Sequence, residues 1–134
     1  GGDKRLPASP FMESALNLTP FEFEGSQYTF IVPETNREVL RWGSHLNNCL
    51  ASYVHDVKYG FYALLFVERE GRPYAALGMR AEHDKGTKRS RYREEQFYRV
   101  NNYDLAEDEH CALMSHIADS VSKGNVEVKP RRTP

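Results

Sequence analysis

The stretch Phe61 to Glu82 constrains the fold of this chain more than any other. Phe61–Glu70, FYALLFVERE, is apolar almost throughout, and Tyr74–Glu82, YAALGMRAE, returns with the same character. Gly71-Arg72-Pro73 between them is a turn signal, so the pair predicts a β-hairpin. The first run does not alternate between apolar and polar residues. It is therefore expected to be a central strand buried on both faces.

The other elements are read around this hairpin. Phe21 and Phe23 alternate with Glu22 and Glu24, Gly25-Ser26 marks a turn, and Tyr28, Phe30 and Val32 resume the alternation. That pattern predicts a hairpin or a bent edge strand. Pro33 ends it, and Glu34-Thr35-Asn36 offers N-caps for a helix beginning near Arg37. Val39, Leu40, Trp42, Leu46, Cys49, Leu50 and Tyr53 recur at helical spacing, but Gly43 interrupts them. A glycine there costs about 1 kcal/mol against Ala in a helix interior. Two short helices are predicted, the second capped by Ser44, running to Lys58 and ending at Gly60. One continuous helix weakened at Gly43 is the alternative.

Downstream, His83–Arg93 is a polar loop with five cations, Lys85, Lys88, Arg89, Arg91 and Arg93. Glu94–Val100 reads as a third strand of the sheet, and Asn101-Asn102 breaks it. Asp104 is an N-cap candidate for an amphipathic helix over Ala106–Val121, with Leu105, Cys111, Leu113, Met114, Ile117 and Val121 on its apolar stripe. Gly124 is the expected stop. The fold class predicted is α+β: a small antiparallel sheet of three or more strands with helices packed on one face. Residues 1–20 are expected to be an extended arm with a helical turn at Met12–Leu16. Residues 21–124 form the single domain, and residues 125–134 a flexible basic tail.

Composition excludes some classes. A chain of 134 residues, 40% hydrophobic, supports one domain with a real core, and its net charge of −1 carries no whole-chain basic signal for nucleic acid. Cys49 and Cys111 do not make a disulfide framework. The start, GGDKRLP, lacks an apolar signal region, and no apolar run approaches the roughly 20 residues needed to cross a bilayer. A cytoplasmic location with reduced thiols is expected. Gly1-Gly2 without an initiator Met reads as a cleavage scar, so a fragment of a longer protein is expected.

Several residue groups are candidates for chemistry. His45, Cys49 and Tyr53 are four residues apart, which stacks them on one face of a helix. A thiol one turn from an imidazole suits a Cys nucleophile with His45 as base and Tyr53 or Asn102 orienting the substrate. The simpler reading, and the commoner one for a lone Cys, is a small residue packed between helix and sheet. His45, Cys49, His110, Cys111 and His116 are ligand types for zinc, yet their spacing forms no tetrad, and neither metal nor cofactor is expected. Gln96 and Asn102 carry amides that could read a base edge, or could serve a turn or helix cap. The cationic loop adjoins Tyr92, Tyr98 and Arg99, and the tail adds Lys129, Arg131 and Arg132. Together these could make a basic patch with aromatic faces for phosphates and bases, or simply a solvated loop. Glu107, Asp108 and Glu109 suit a helix N-terminus and need no partner.

The segment LRWGSHLNNCLASYVHDVKYGFYALLFVEREGRPYAALGMR, followed by EEQFYRVNN and a helix, resembles the PcfJ-like family of conjugative plasmids and other mobile elements. The resemblance spans about Val39 to Val121. Cys49 and Tyr53 match the family's C-x-x-x-Y element, Gly60 the glycine before the hairpin, and Gln96 and Asn102 the late strand and turn. Two departures stand out. Asn48 occupies the place before the Cys where the family has His, and Arg99 stands where a Gly often follows the Gln. The resemblance implies an accessory module of a mobile-element protein. DNA or RNA, and a larger parent protein or nucleoprotein complex, are the expected partners; a membrane is not. Contact is expected through Lys88, Arg89, Arg91, Arg93, Gln96, Arg99 and Asn102. The rival expectations are a Cys49-dependent hydrolase or transferase, and a protein-interaction domain using the Pro-rich arm.

Overall fold

A computed structural model describes residues 4–82, 86 and 89–131 of the chain. The expected hairpin is its centre. β3 (Tyr62–Arg69) and β4 (Arg72–Glu82) pair antiparallel from Tyr62↔Arg80 to Arg69↔Arg72. Their loop is the dipeptide Glu70-Gly71, with φ of 51° and 76°. Positive φ at both central residues is the type I′ geometry that matches strand twist. Pro73, read from sequence as part of the turn, already lies in β4. β5 pairs with β4 only from Ala75 onward, so the N–H that Pro73 lacks is not missed on that side.

β1 (Phe21–Phe23) and β2 (Ser26–Ile31) repeat the same device through Glu24-Gly25. β2 pairs with β3, and β5 (Ser90–Arg99) with β4, all antiparallel. β6 (Val126–Lys129) then joins the outer edge of β5 in parallel. Among the described residues the sheet therefore has six strands in sequence order. The stretch after Gly124, expected to be a flexible tail, supplies this last strand and buries Val126 completely.

The expectation of a small sheet with helices on one face is corrected: helices cover both faces. Side chains alternate along β3. Tyr62 and Phe66 point one way, where Tyr53 stacks on Tyr62 and Trp42 on Phe66, each with ring centroids 4.7 Å apart. Arg69 points the other way, toward Glu109 at 3.7 Å. The first face carries α2 (Asn36–Leu46), a 3₁₀ turn (Leu50–Tyr53) and α3 (Val54–Lys58); the second carries α1 (Pro10–Ala15) and α4 (Glu107–Ser122). A parallel β5–β6 pair requires a crossover, and α4 provides it.

The arm before Phe21 is not merely extended. Ser9 caps α1 by accepting from the Met12 N–H, Pro10 sits at the first helical position, and Phe11, Met12 and Ala15 are buried. Gly124 lies so close to α1 that a Cβ there would fall 1.9 Å from the Ser14 hydroxyl.

α2 also departs from expectation. Thr35 caps it, accepting from the Glu38 N–H at 3.2 Å, but the helix passes through Gly43 unbroken. It stops at Asn47, which takes the left-handed conformation at φ 51°. The Asn48 N–H then donates to the Gly43 carbonyl, and a Cβ on Gly43 would lie 3.3 Å from the Asn48 carbonyl oxygen. The glycine admits a close return of the chain rather than a break.

Candidate functional site

An open cleft of about 480 Å³ lies on the α2 face, between the chain leaving α2 and the distal half of β5. Asn48, Cys49, Leu50 and Tyr53 line one wall; Gln96, Tyr98, Asn102 and Asp104 line the other. Local backbone events set both walls. On the first, the left-handed Asn47 turns the chain, and Asn48 Oδ1 accepts from the Leu50 N–H to start the 3₁₀ turn. On the second, Asn101 and Asn102 both have φ of 59°, folding the chain back after β5. Asn47 Nδ2 donates to Asn101 Oδ1 at 2.6 Å and ties the two turns together.

The floor depends on a β-bulge. Gly78 pairs with Gln96 but Met79 pairs with Glu94, so Glu95 is an extra residue in β5. Strict alternation would send Glu95 and Gln96 to opposite faces; the bulge turns both toward the α2 face. Glu95 is then held by Arg80, whose guanidinium also bonds Asp56 at 3.1 Å and lies 4.6 Å over the Tyr62 ring. Gln96 Nε2 donates to the hydroxyls of Tyr53 and of Tyr62, the latter at 3.2 Å. Tyr62 is wholly buried, and burial first, then the Glu95 carboxylate, push its hydroxyl pKa up. Its ring lies against Gly78, where a Cβ would fall 2.1 Å from the phenol oxygen.

Arg131 closes the rim. Its backbone N–H donates to Glu94 Oε1 at 2.8 Å, and Glu94 Oε2 is 2.6 Å from His110 Nε2 in a fully buried pair. Its guanidinium reaches the Tyr98 hydroxyl at 3.5 Å, lies 5.6 Å over the Tyr98 ring and is 4.0 Å from Asp104. Asp104 does not cap α4, whose N-cap is Ala106; its backbone instead bridges Tyr98.

The structure brings together Cys49, Tyr53, Gln96 and Asn102 from the sequence candidates. His45 is not with them. It lines a separate groove with Trp42 and Arg41, because α2 ends before Cys49 and the helical spacing does not carry across Asn47. Cys49 is exposed rather than packed in the core. Arg99 faces the opposite side of the sheet, 5.2 Å over the Tyr74 ring.

The expected cationic rim is largely matched by carboxylates. Arg91 bonds Glu127 at 3.2 Å, while Arg93 and Lys129 reach Glu82 at 3.5 and 3.9 Å. Lys85, Lys88 and Arg132 lie outside the described residues, and Arg89 immediately precedes β5. Sequence reasoning missed Asn48 and Asp104 as cleft residues, and placed Tyr98 with the cationic patch rather than with Cys49 and Tyr53. The Asn47-Asn48 pair was the available signal for the turn.

Fold and cleft define a mixed α+β domain with a hydrogen-bonding recess, lined by amides, phenols and the Asp104 carboxylate, beside a bulged strand. The chain belongs to the family of PcfJ-like proteins, whose model matches residues 4–112. No curated protein matches the sequence significantly. Among solved structures, glucosamine-6-phosphate N-acetyltransferase from Arabidopsis thaliana is similar at 12% identity and a TM-score of 0.48, over 79% of this chain and 82% of that one. An aminoglycoside acetyltransferase, HMB0005, from an uncultured soil metagenomic sample gives 10% identity and a TM-score of 0.46, over 79% and 78%. Both likenesses are too distant to bear on function.

Proposed function

We propose that this domain is an accessory nucleic-acid-binding module of a mobile-element protein, plasmid- or phage-type, and that its cleft takes an unpaired base. The observation that supports this reading is the lining itself. The amides of Asn48, Gln96 and Asn102 and the phenols of Tyr53 and Tyr98 converge on one recess. An unstacked base offers an aromatic face and a hydrogen-bonding edge, which phenols and amides match. Duplex binding relies instead on clustered unpaired cations, and Arg91, Arg93 and Lys129 have carboxylate neighbours. Single strands are accordingly the preferred ligand.

The test is anisotropy titration of labelled single-stranded and duplex DNA and RNA across salt. Single strands bind with a shallow salt dependence, and Tyr98→Ala weakens them by about 1–3 kcal/mol, the usual worth of one stacked base. Absence of single-strand binding at low salt overturns the reading. So does binding that Arg89→Glu with Arg91→Glu abolishes while Tyr98→Ala leaves it intact.

One observation favours a second reading, thiol chemistry: Cys49 is exposed on the cleft wall. His45 lies in another groove, so activation by that residue is not available. Alkylation rate against pH decides it, since a slow thiol with an ordinary pKa of about 8.5 speaks against a nucleophile.

A further inference from the structure

Asp104 is the carboxylate among the residues that line the cleft, and its role is open because it does not cap α4. Its backbone is fixed by the bridge to Tyr98 and by the bond from the Arg99 N–H to the Tyr103 carbonyl, 2.7 Å. The side chain remains more than half exposed, with the Arg131 guanidinium 4.0 Å away on one side. A carboxylate only accepts hydrogen bonds, through two oxygens side by side. Among the described residues, the other polar side chains on the cleft walls are uncharged amides, phenols or a thiol, which adapt as donor or acceptor.

Resting on the single-strand reading above, we propose that Asp104 makes the cleft selective for guanine. Guanine presents two adjacent donors, N1–H and N2–H₂, which match the two carboxylate oxygens, and its O6 beside them can accept from an amide. Cytosine and adenine present one amino donor next to a ring nitrogen acceptor, which the second carboxylate oxygen repels. Uracil and thymine present one N–H between two carbonyls. Hypoxanthine keeps N1–H and O6 but lacks N2–H₂, so it isolates the second contact. Arg131 is the positioning residue: from the rim it restrains the Asp104 carboxylate, while its backbone N–H is fixed on Glu94. Arrangements of this kind discriminate because the wrong base leaves a polar group facing a like one.

The test measures affinity of the intact domain for the 5′-monophosphates of guanosine, inosine, adenosine, cytidine and uridine, which share one charge. Guanosine monophosphate is expected to bind about tenfold more tightly than inosine monophosphate, one good bidentate contact against one single contact. Asp104→Asn, at an exposed position, leaves folding intact and removes that preference without removing binding. Arg131→Ala narrows it. Comparable affinity for all five, unchanged by Asp104→Asn, overturns the guanine assignment and leaves the base-binding reading standing. Failure of every nucleotide and of single-stranded oligonucleotides removes both.

Discussion

On each face of the sheet a pair of tyrosine hydroxyls converges on one planar side chain. On the α2 face the hub is Gln96, bonded to Tyr53 and Tyr62. On the α4 face it is Glu109, which accepts from Tyr28 at 2.5 Å and from Tyr74 at 2.7 Å. The two clusters do different work because one hub is neutral and the other charged. A buried carboxylate must be compensated, and Arg69 lies 3.7 Å from Glu109 and stacks over both tyrosine rings. With that the cluster is closed: it clamps the first turn of α4 to β2 and β4. An amide hub has no charge to neutralise, so the Gln96 cluster can border open solvent at the cleft. The closed, charged cluster serves structure; the neutral Gln96 hub borders the open cleft.

The sharpest way to break this comparison is Gly78→Ala. A methyl placed 2.1 Å from the Tyr62 oxygen must displace a buried ring, and a loss of about 3 kcal/mol or more is expected, read from the denaturation midpoint. Glu109→Ala comes next. It leaves the buried Tyr28 hydroxyl and the half-buried Tyr74 hydroxyl without their acceptor, takes the carboxylate from beside Arg69, and is expected to cost about 2–4 kcal/mol. If Glu109→Ala is neutral in stability, the α4-face cluster is not a clamp.

Alkaline unfolding sharpens the same point. Tyr28, Tyr62 and Tyr74 hydroxyls are all raised above their ordinary values, chiefly by burial. The folded state thus favours the protonated phenol. That stabilisation is complete below the unfolded value near 10.0 and is lost as pH climbs toward the higher folded values. Tyr28→Phe should flatten the fall in stability above that point, measured by chemical denaturation at successive pH. The smallest effect on stability is expected from Asn102→Gly. It removes the amide from the cleft while keeping a residue at ease with φ of 59°, so the melting temperature holds and single-strand affinity falls about tenfold.

Legibility in the sequence followed element continuity. The β3–β4 hairpin and α4 were readable because each is a long, uniform pattern; β5 was read only from Glu94, because its first residues, Ser90–Arg93, look like a cationic loop. β6 also carried its alternation, Val126 and Val128 against Glu127 and Lys129, but four residues after a glycine read as a tail. The candidate site was half readable: Cys49, Tyr53, Gln96 and Asn102 were singled out and do meet, while His45 and Arg99 do not join them. Spacing counts faces only while one element continues. The stop at Asn47 rotated His45 away from Cys49, and the alternation of β5 put Arg99 on the far side of the sheet.

The sequence by itself determined that this chain would build an α+β domain around an apolar hairpin, because burying those runs outweighs every local alternative. Only the tertiary structure decided that Glu95 would bulge, turning Gln96 toward two phenols, and that Asp104 would meet Tyr98 rather than cap a helix. Those outcomes depend on pairing between strands distant in the chain, where register and close approach are set by neighbours that no local pattern names.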